Sequence, residues 1–474
     1  MSPLPSAHAP LPNRWTVLAA MLVVLVMAPL DASAVNVILP ILQAQFHLAL
    51  SQVAWVPLIY LLVLASLILP AGRFGDLHGF RRIYLTGAVL FILASAWCGL
   101  APTFAWLIVG RVLQGVGACM LMALSSGIAT AIFPGKERGS ALGIVGMAIA
   151  IGLVIGPTLG GFLTALGGWR LIFFINLPIG LIGTLLCLRL LPAIRPHPGA
   201  TIDWTGAGLA ILTLSSLLLA LTQGEAWGWT SPTVLALGAG GVACGVLFVR
   251  VEQCSRSPLL DLALFRHPVF AWANFALTMN YLGQFCATFL VPKLLEDALH
   301  LSVAHTGLVM VALPGAILLL APISGALSTR IGTRPLTVIG ESLVALGLAG
   351  LAFAAPGGHL PFIIAALVVV GIGAGIFQAP NNSAIMGSVP RTHLGVGGGV
   401  LATMRNIGMA LGIATSSVVA VITEGHYLAR HPGFVAPALL HGIQLAFFVG
   451  ALFAALGALA SAVRPNDRAE SAVA

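Results

Sequence analysis

Two residues of opposite charge, Asp31 and Arg111, stand inside long apolar stretches. A charged side chain at the centre of a bilayer costs about 2.5–3.5 kcal/mol on insertion scales, so such a residue marks function by default. Asp31 lies nine residues before Pro40, and Arg111 nine residues after Pro102. At ~1.5 Å per residue both sit ~14 Å from the same end of their helices. Matched depth lets them interact directly or through water. Burial favours the neutral form of a carboxylic acid, while a neighbouring guanidinium favours the ionised form. A group held between these two pulls can load and release a proton as its surroundings change. The structural alternatives are that Asp31 caps backbone groups freed by Pro29 in the same helix, and that Arg111 ties down a carbonyl.

Other polar side chains share this apolar setting. Asn280, Gln284 and Thr288 recur at i, i+4 and i+8 with Tyr281 adjacent; Gln378, Asn381 and Asn382 share a second stretch, and Arg405 and Asn406 a third. In lipid such groups face the bundle interior. They either line a polar and aromatic substrate pocket or knit helices together at about 0.6 kcal/mol each. Glu341, ~10 Å from the cytoplasmic end of its helix, is either a second protonatable site or a protonated packing residue. The six cysteines form no CxxC pair, which argues against a disulfide framework and a metal site. The Gly135-Lys136 pair is followed by Glu137 and belongs to no phosphate-binding loop. Without HExxH, GxSxG or a Cys/His cluster, neither ATP hydrolysis nor a membrane enzyme is expected. The remaining energy source is an ion gradient, with no cofactor; one proton brings about 2.3 kcal/mol per 100 mV.

The elements that position these residues follow from composition. Of 474 residues 59% are hydrophobic and 7% charged, and the mean hydropathy is +1.05. A soluble domain carries about 25% charged residues, so an ordinary soluble enzyme is excluded. A nucleic-acid partner is excluded too, despite a pI near 9.7. Apolar runs long enough to span a bilayer fall near 15–39, 53–71, 83–101, 105–133, 139–165, 170–190, 204–223, 233–250, 268–292, 304–328, 336–355, 361–387, 394–422 and 437–462. The first is too long for a cleaved signal. With the N-terminus inside, sixteen of the 21 basic residues are cytoplasmic: Arg14, Arg73, Arg81, Arg82, Lys136, Arg138, Arg189, Arg195, Arg250, Arg256, Arg266, Arg330, Arg334, Arg391, Arg464 and Arg468. Arg170, Lys293 and Arg430 fall outside, and that bias predicts both termini in the cytoplasm. Trp15, Trp106, Trp169, Trp204 and Trp227, near helix ends, read as interfacial anchors.

The chain also repeats itself. An offset of 256 carries Gly115 and Gly117 to Gly371 and Gly373, and Gly152 and Gly156 to Gly408 and Gly412; an offset of 253 carries Gly72 and Gly79 to Gly325 and Gly332. The expected fold is therefore an all-α polytopic membrane protein of fourteen helices. It comprises an N-terminal six-helix half (1–195), two inserted helices (196–257) and a pseudo-symmetric C-terminal six-helix half (258–474). Paired halves around a midplane site suit a secondary transporter.

Four strings carry a family resemblance: LDASAVNVILP (Leu30 to Pro40), GRFGDLHGFRR (Gly72 to Arg82), RVLQGVGA (Arg111 to Ala118) and GLVIGPTLGG (Gly152 to Gly161), the last soon followed by GWRLIFFINLPIG (Gly168 to Gly180). In order and spacing they resemble the major facilitator superfamily, and within it the fourteen-helix drug:proton antiporters of the QacA/EmrB type, over nearly the whole chain. The resemblance implies proton-coupled export of small amphipathic drugs or toxic compounds across the bacterial cytoplasmic membrane, with alternating access and a contribution to antibiotic resistance. A dedicated transporter of one metabolite, anionic in view of Arg111 and Arg405, is the alternative. The resemblance implies a proton-coupling role for Arg111 beside Asp31. It also implies a gating latch at Gly72, Asp76, Gly79, Arg81 and Arg82, in which Asp76 caps the following helix or pairs with Arg81 or Arg82. Gly152, Gly156, Pro157 and Gly160 become a hinge or seal, with close helix packing as the simpler reading. Some relatives also use a periplasmic adaptor and an outer-membrane channel as partners. Two departures stand out. Leu77 replaces a usual basic residue, and Thr329 replaces the usual acid in the second copy, GALSTRIG.

Overall fold

In lipid each backbone N–H and C=O must be satisfied within its own segment, which leaves the α-helix as the form for apolar runs of this length. The computed structural model describes residues 13–193, 203–255 and 258–465, and those residues contain no strand. Arg195, Arg256 and Arg468, and the boundaries expected at 195/196 and 257/258, lie outside the described residues. The long helices are α1 (Arg14–Phe46), α2 (Trp55–His78), α3 (Phe80–Gly99), α4 (Phe104–Ile132), α5 (Gly135–Gly167), α6 (Arg170–Leu190) and α7 (Trp204–Trp227). They continue as α8 (Pro232–Cys254), α9 (Pro268–Lys293), α10 (His305–Ile331), α11 (Thr333–Gly357), α12 (Leu360–Gly387), α13 (Leu394–Arg430) and α14 (Val435–Val463).

Among the described residues thirteen helices are long and apolar enough to cross a membrane. The expectation of fourteen spans differs at α9, which has 26 residues but is not one of the thirteen. Asn274, Thr278, Asn280 and Gln284 occupy its middle and lower its apolarity, and all four are buried. The first helix is also not a single cylinder. It divides into Arg14–Leu25, Met27–Ala34, a 3-10 turn at Val35–Ile38 and Leu39–Phe46. Pro29 and Pro40 each remove a backbone donor near a break.

Helices α1–α6 pack on one another, and so do α9–α14. The two sets meet through α2 and α4 against α13, and through α5 against α10 and α12. The α7–α8 pair lies outside, with α7 leaning on both α2 and α13. A hydrogen bond of 2.9 Å joins Ser66 of α2 to Ser215 of α7. Four of the five tryptophans expected at interfaces are well exposed, but Trp169 is only 3% exposed. Instead of anchoring in the interface it packs edge-on against Phe46 and Phe173 and donates to Gln45 Oε1 at 2.5 Å. Its aromatic neighbours bury the ring, and the glutamine satisfies the one donor that burial would strand.

Candidate functional site

The breaks in α1 bring Asp31 opposite Arg111 of α4, and the two form an ion pair in which both side chains are 0% exposed. Arg111 Nη1 donates to Asp31 Oδ2 and also to Gln114 Oε1 at 2.7 Å; its Nε donates to the Val56 carbonyl at 3.0 Å. The other carboxylate oxygen accepts from Gln114 Nε2 at 3.2 Å and from Asn176 Nδ2 at 3.1 Å. Gln114 Nε2 further donates to Ser95 Oγ at 2.8 Å. Tyr60 lies with its ring 4.3 Å from the guanidinium carbon and donates its hydroxyl to the Ala28 carbonyl at 3.0 Å. Five helices thus converge on one carboxylate. The geometry includes the tie from Arg111 to a carbonyl, so structural and chemical roles coexist there. It does not include an Asp31 cap on the Pro29 break. Pro29 frees a carbonyl, an acceptor that a carboxylate cannot serve. Ser33 Oγ is the side chain bonded to that turn, to the Pro29 and Leu30 carbonyls at 3.1 Å each and across to Gly152 O at 3.2 Å.

That last contact depends on the glycine face of α5. A Cβ at Gly152 would meet Pro29 Cγ at 2.7 Å, one at Gly156 would meet Ser33 Oγ at 1.8 Å and the Leu30 carbonyl at 2.7 Å, and one at Gly160 would meet the Ala34 carbonyl at 3.0 Å. Three glycines therefore seat the acid-bearing segment of α1, while Pro157 points to the exposed side. Gly156→Leu is expected to push α1 from α5 and to destabilise the fold by about 1–3 kcal/mol, as overpacking does. Thermal unfolding of the purified variant checks this; an unchanged midpoint would show that the two helices separate freely.

Asp76, near the C-terminal end of α2, reaches neither Arg81 nor Arg82, nor the helix that follows it. Its carboxylate accepts from Gly395 N at 2.7 Å and Val396 N at 2.9 Å, first-turn donors of α13 that have no carbonyl partner within their own helix. The side chain, 6% exposed, does for a helix of the opposite half what an N-cap does for its own. It also complements the positive end of the α13 dipole. Gly72 permits this: a Cβ there would lie 2.2 Å from Gly395 O, and a Cβ at Gly395 would lie 2.2 Å from Gly72 O. Gly79 takes φ 92°, a left-handed turn that favours glycine. Arg81 Nη2 donates to the Leu188 carbonyl at 2.5 Å, and Arg82 is exposed. The second copy has the same close approach without the carboxylate. Gly139 and Gly325 meet in the same manner, at 2.5 Å and 2.4 Å, but Thr329 turns back to Ala326 O at 2.8 Å on its own helix.

The polar residues of the C-terminal set separate into two groups. Gln378 faces α5, its Oε1 3.9 Å from where a Gly146 Cβ would be. Arg405 interacts with the half-buried Tyr281 hydroxyl, and Asn382 is half-buried with its Oδ1 unpartnered. Asn280, Gln284 and Asn381 instead turn into the interior of the α9–α14 set. Gln284 Nε2 donates to Asn280 Oδ1, Asn280 lies beside Glu341, and Asn381 Nδ2 donates to Ala273 O at 2.9 Å. The sequence reading passed over Gln114, Asn176, Ser95 and Tyr60. The available signal was Gln114 at i+3 from Arg111, on the same helix face.

Comparison with known proteins adds findings of three kinds. The sequence profile described as "Major Facilitator Superfamily" matches residues 21–413. The riboflavin transporter RibZ of Clostridioides difficile is 34% identical over 403 residues, 85% of this chain and 87% of the relative. The multidrug resistance protein Stp of Mycobacterium tuberculosis is 34% identical over 387 residues, 81% of this chain and 72% of the relative. Among solved structures, the human organic anion transporter MFSD10 has a TM-score of 0.67 at 16% identity, covering 95% of this chain and 100% of that one. The proton:xylose symporter XylE has a TM-score of 0.67 at 15% identity, with 96% of each chain covered. At these identities the two structures speak for the fold alone.

Proposed function

This chain belongs to the major facilitator superfamily, and from that premise we propose that it is a proton-coupled exporter of small amphipathic compounds in the bacterial cytoplasmic membrane. The observation that carries the reading is the fully buried Asp31–Arg111 pair. A charge pair at this depth is expensive to maintain, and Gln114, Asn176 and Ser95 hold the acid in place around it. Asp31 carries the coupling proton. When the halves rock, water reaches the pocket from one side, the acid protonates and its hold on Arg111 weakens; from the other side the proton leaves and the pair re-forms. In this conformation the cytoplasmic gate is shut at Gly72–Gly395 and Gly139–Gly325. Gln378, Tyr281, Arg405 and Asn382 are the polar groups available to a substrate. The energy source is the proton gradient, with no cofactor. The chain has two six-helix halves plus the α7–α8 pair, α9 serves as the fourteenth span, and both termini are cytoplasmic. A periplasmic adaptor and outer-membrane channel are the partners that would complete export in a two-membrane cell.

A second reading, a dedicated transporter of one metabolite, is favoured by the 34% identity to a protein named as a riboflavin transporter. Inside-out vesicles with an acid interior distinguish the two, with ethidium and riboflavin as probes. Uptake of ethidium that collapses with an uncoupler and falls to background in Asp31→Asn is the expected result. Uptake of riboflavin alone would favour the second reading. Ethidium uptake retained by Asp31→Asn would remove Asp31 from the coupling step.

A further inference from the structure

Glu341 of α11 is 0% exposed, and neither carboxylate oxygen has a hydrogen bond of normal geometry. It is not isolated: the helices packed against α11 carry further polar atoms without a hydrogen bond of normal geometry. Asn280 Nδ2 of α9, next to Glu341, is one; Asn274 Oδ1, further along the same helix, and Ser461 Oγ of α14 are others. All three residues are at most 1% exposed. The register between α11 and α14 is pinned at two points. Arg464 Nη2 donates to Thr333 Oγ1 at 2.5 Å, and Glu341 Oε1 sits 2.9 Å from where a Gly457 Cβ would be. The helices run antiparallel, so Thr337 and Ser461 lie opposite each other between these points. Thr333, Thr337 and Glu341 follow at i, i+4 and i+8, and Gly457, Ser461 and Arg464 mirror them. The result is a polar seam from the cytoplasmic end of the bundle to a carboxyl ~12 Å inside it.

The groups that face Glu341 can be enumerated by element. From α9 they are Asn280 and Gln284, with Tyr281 adjacent on the side of Arg405, Cys286 further out and Lys293 at the far end; from α14, Ser461 and Arg464, with His441 at the far end. Helix α12 carries no titratable side chain; α10 and α11 bring Arg330 and Arg334 at the cytoplasmic end, and α10 brings His305 at the far end. Among the described residues no cation pairs with Glu341; Arg405, at a similar depth, is engaged with Tyr281 instead, and an ionised carboxylate without a counter-charge is not sustainable there. Buried polar atoms without protein partners are the sites that bridging water serves.

We propose that Glu341 is a second proton-binding site of this transporter, filled from the cytoplasmic face through the Thr333–Thr337–Ser461 seam. It rests on the reading of the chain as a proton-coupled carrier, and gives the C-terminal half an acid of its own beside the one that Asp31 supplies to the other half. The site suits a proton: Asn280 is the amide beside the carboxyl, whereas a metal cation would need several oxygen ligands there.

Infrared spectroscopy of the purified full-length protein tests the proposal without any transported substrate, so it stands or falls separately from the role of Asp31. The expected result is a carboxylic acid C=O band present in the wild type and in Asp31→Asn, absent from Glu341→Gln, and shifted on transfer to D2O. Ser461→Leu, which fills the seam with apolar volume, should slow that shift by about tenfold or more. Should Glu341→Gln fail to fold, Glu341→Asp serves instead and moves the band rather than removing it. No band at Glu341, a band that ignores D2O, or a shift as fast in Ser461→Leu as in the wild type would each overturn the proposal.

Discussion

Arg111→Ala is expected to destabilise the folded protein by about 3–5 kcal/mol, the cost of stranding one member of a buried ion pair, and to abolish proton-driven uptake. Among the described residues the guanidinium is the only cation touching Asp31, and it also holds Gln114 and the Val56 carbonyl. Its loss leaves a 0% exposed carboxylate with two amide donors, from Gln114 and Asn176. The double variant Asp31→Asn with Arg111→Gln removes both charges and keeps most of the volume. It should recover most of the thermal stability, because a neutral polar pair of similar shape carries no unpaired charge. It should recover no uptake, because no group remains to take the proton. Thermal unfolding in detergent and vesicle uptake, measured side by side on the three proteins, separate the structural share of the pair from the chemical one. Full stability in Arg111→Ala would show that Asp31 needs no partner here; uptake by the double variant would end the coupling assignment.

What the sequence revealed and what it hid divide along a physical line. Depth is readable from residue count, since rise per residue is fixed, and counting from Pro40 and Pro102 is what paired Asp31 with Arg111. Neutral side chains leave a weaker trace. Gln114 and Asn176 cost less in lipid than a charge, so nothing in composition separates them from the many polar residues that merely join helices. Asp76 shows a different limit. Its capping chemistry was expected, but its partners Gly395 and Val396 lie more than 300 residues away. Those N–H groups reach it only once the halves dock. The polar stripe of α9 was visible as Asn280, Gln284 and Thr288, but a stripe does not say which neighbour it faces. Glu341 and Gly457 take the Asn280 side, and Thr288 is left exposed.

The gate carries the second large effect, and it tests alternating access directly. Gly72→Val cannot coexist with the closed cytoplasmic contact: its Cβ would stand 2.2 Å from Gly395 O and 2.8 Å from the carbonyl carbon. Backbone on the far side offers no flexible end to move, so α2 and α13 must part at this point. Parting also pulls Asp76 from Gly395 N and Val396 N, two charge-assisted bonds worth about 1.5–3 kcal/mol each. The destabilisation falls on one conformation rather than on the fold, because the two halves retain their own packing. A loss of that size is enough to turn a closed majority into an open one. Leu69 of α2, 4% exposed and packed against Gly399 of α13, becomes accessible when the contact opens. Asp76→Asn should give a smaller change of the same sign, since the amide still accepts one bond. With a cysteine in place of Leu69 in a background lacking native cysteines, thiol labelling from the cytoplasmic side should rise about tenfold or more in Gly72→Val. Uptake should be lost while thermal stability stays near that of the parent. Unchanged labelling would mean that the Gly72–Gly395 contact does not hold the gate shut, and the closure would then rest on the other contacts between the halves, α4 with α13 and α5 with α10 and α12.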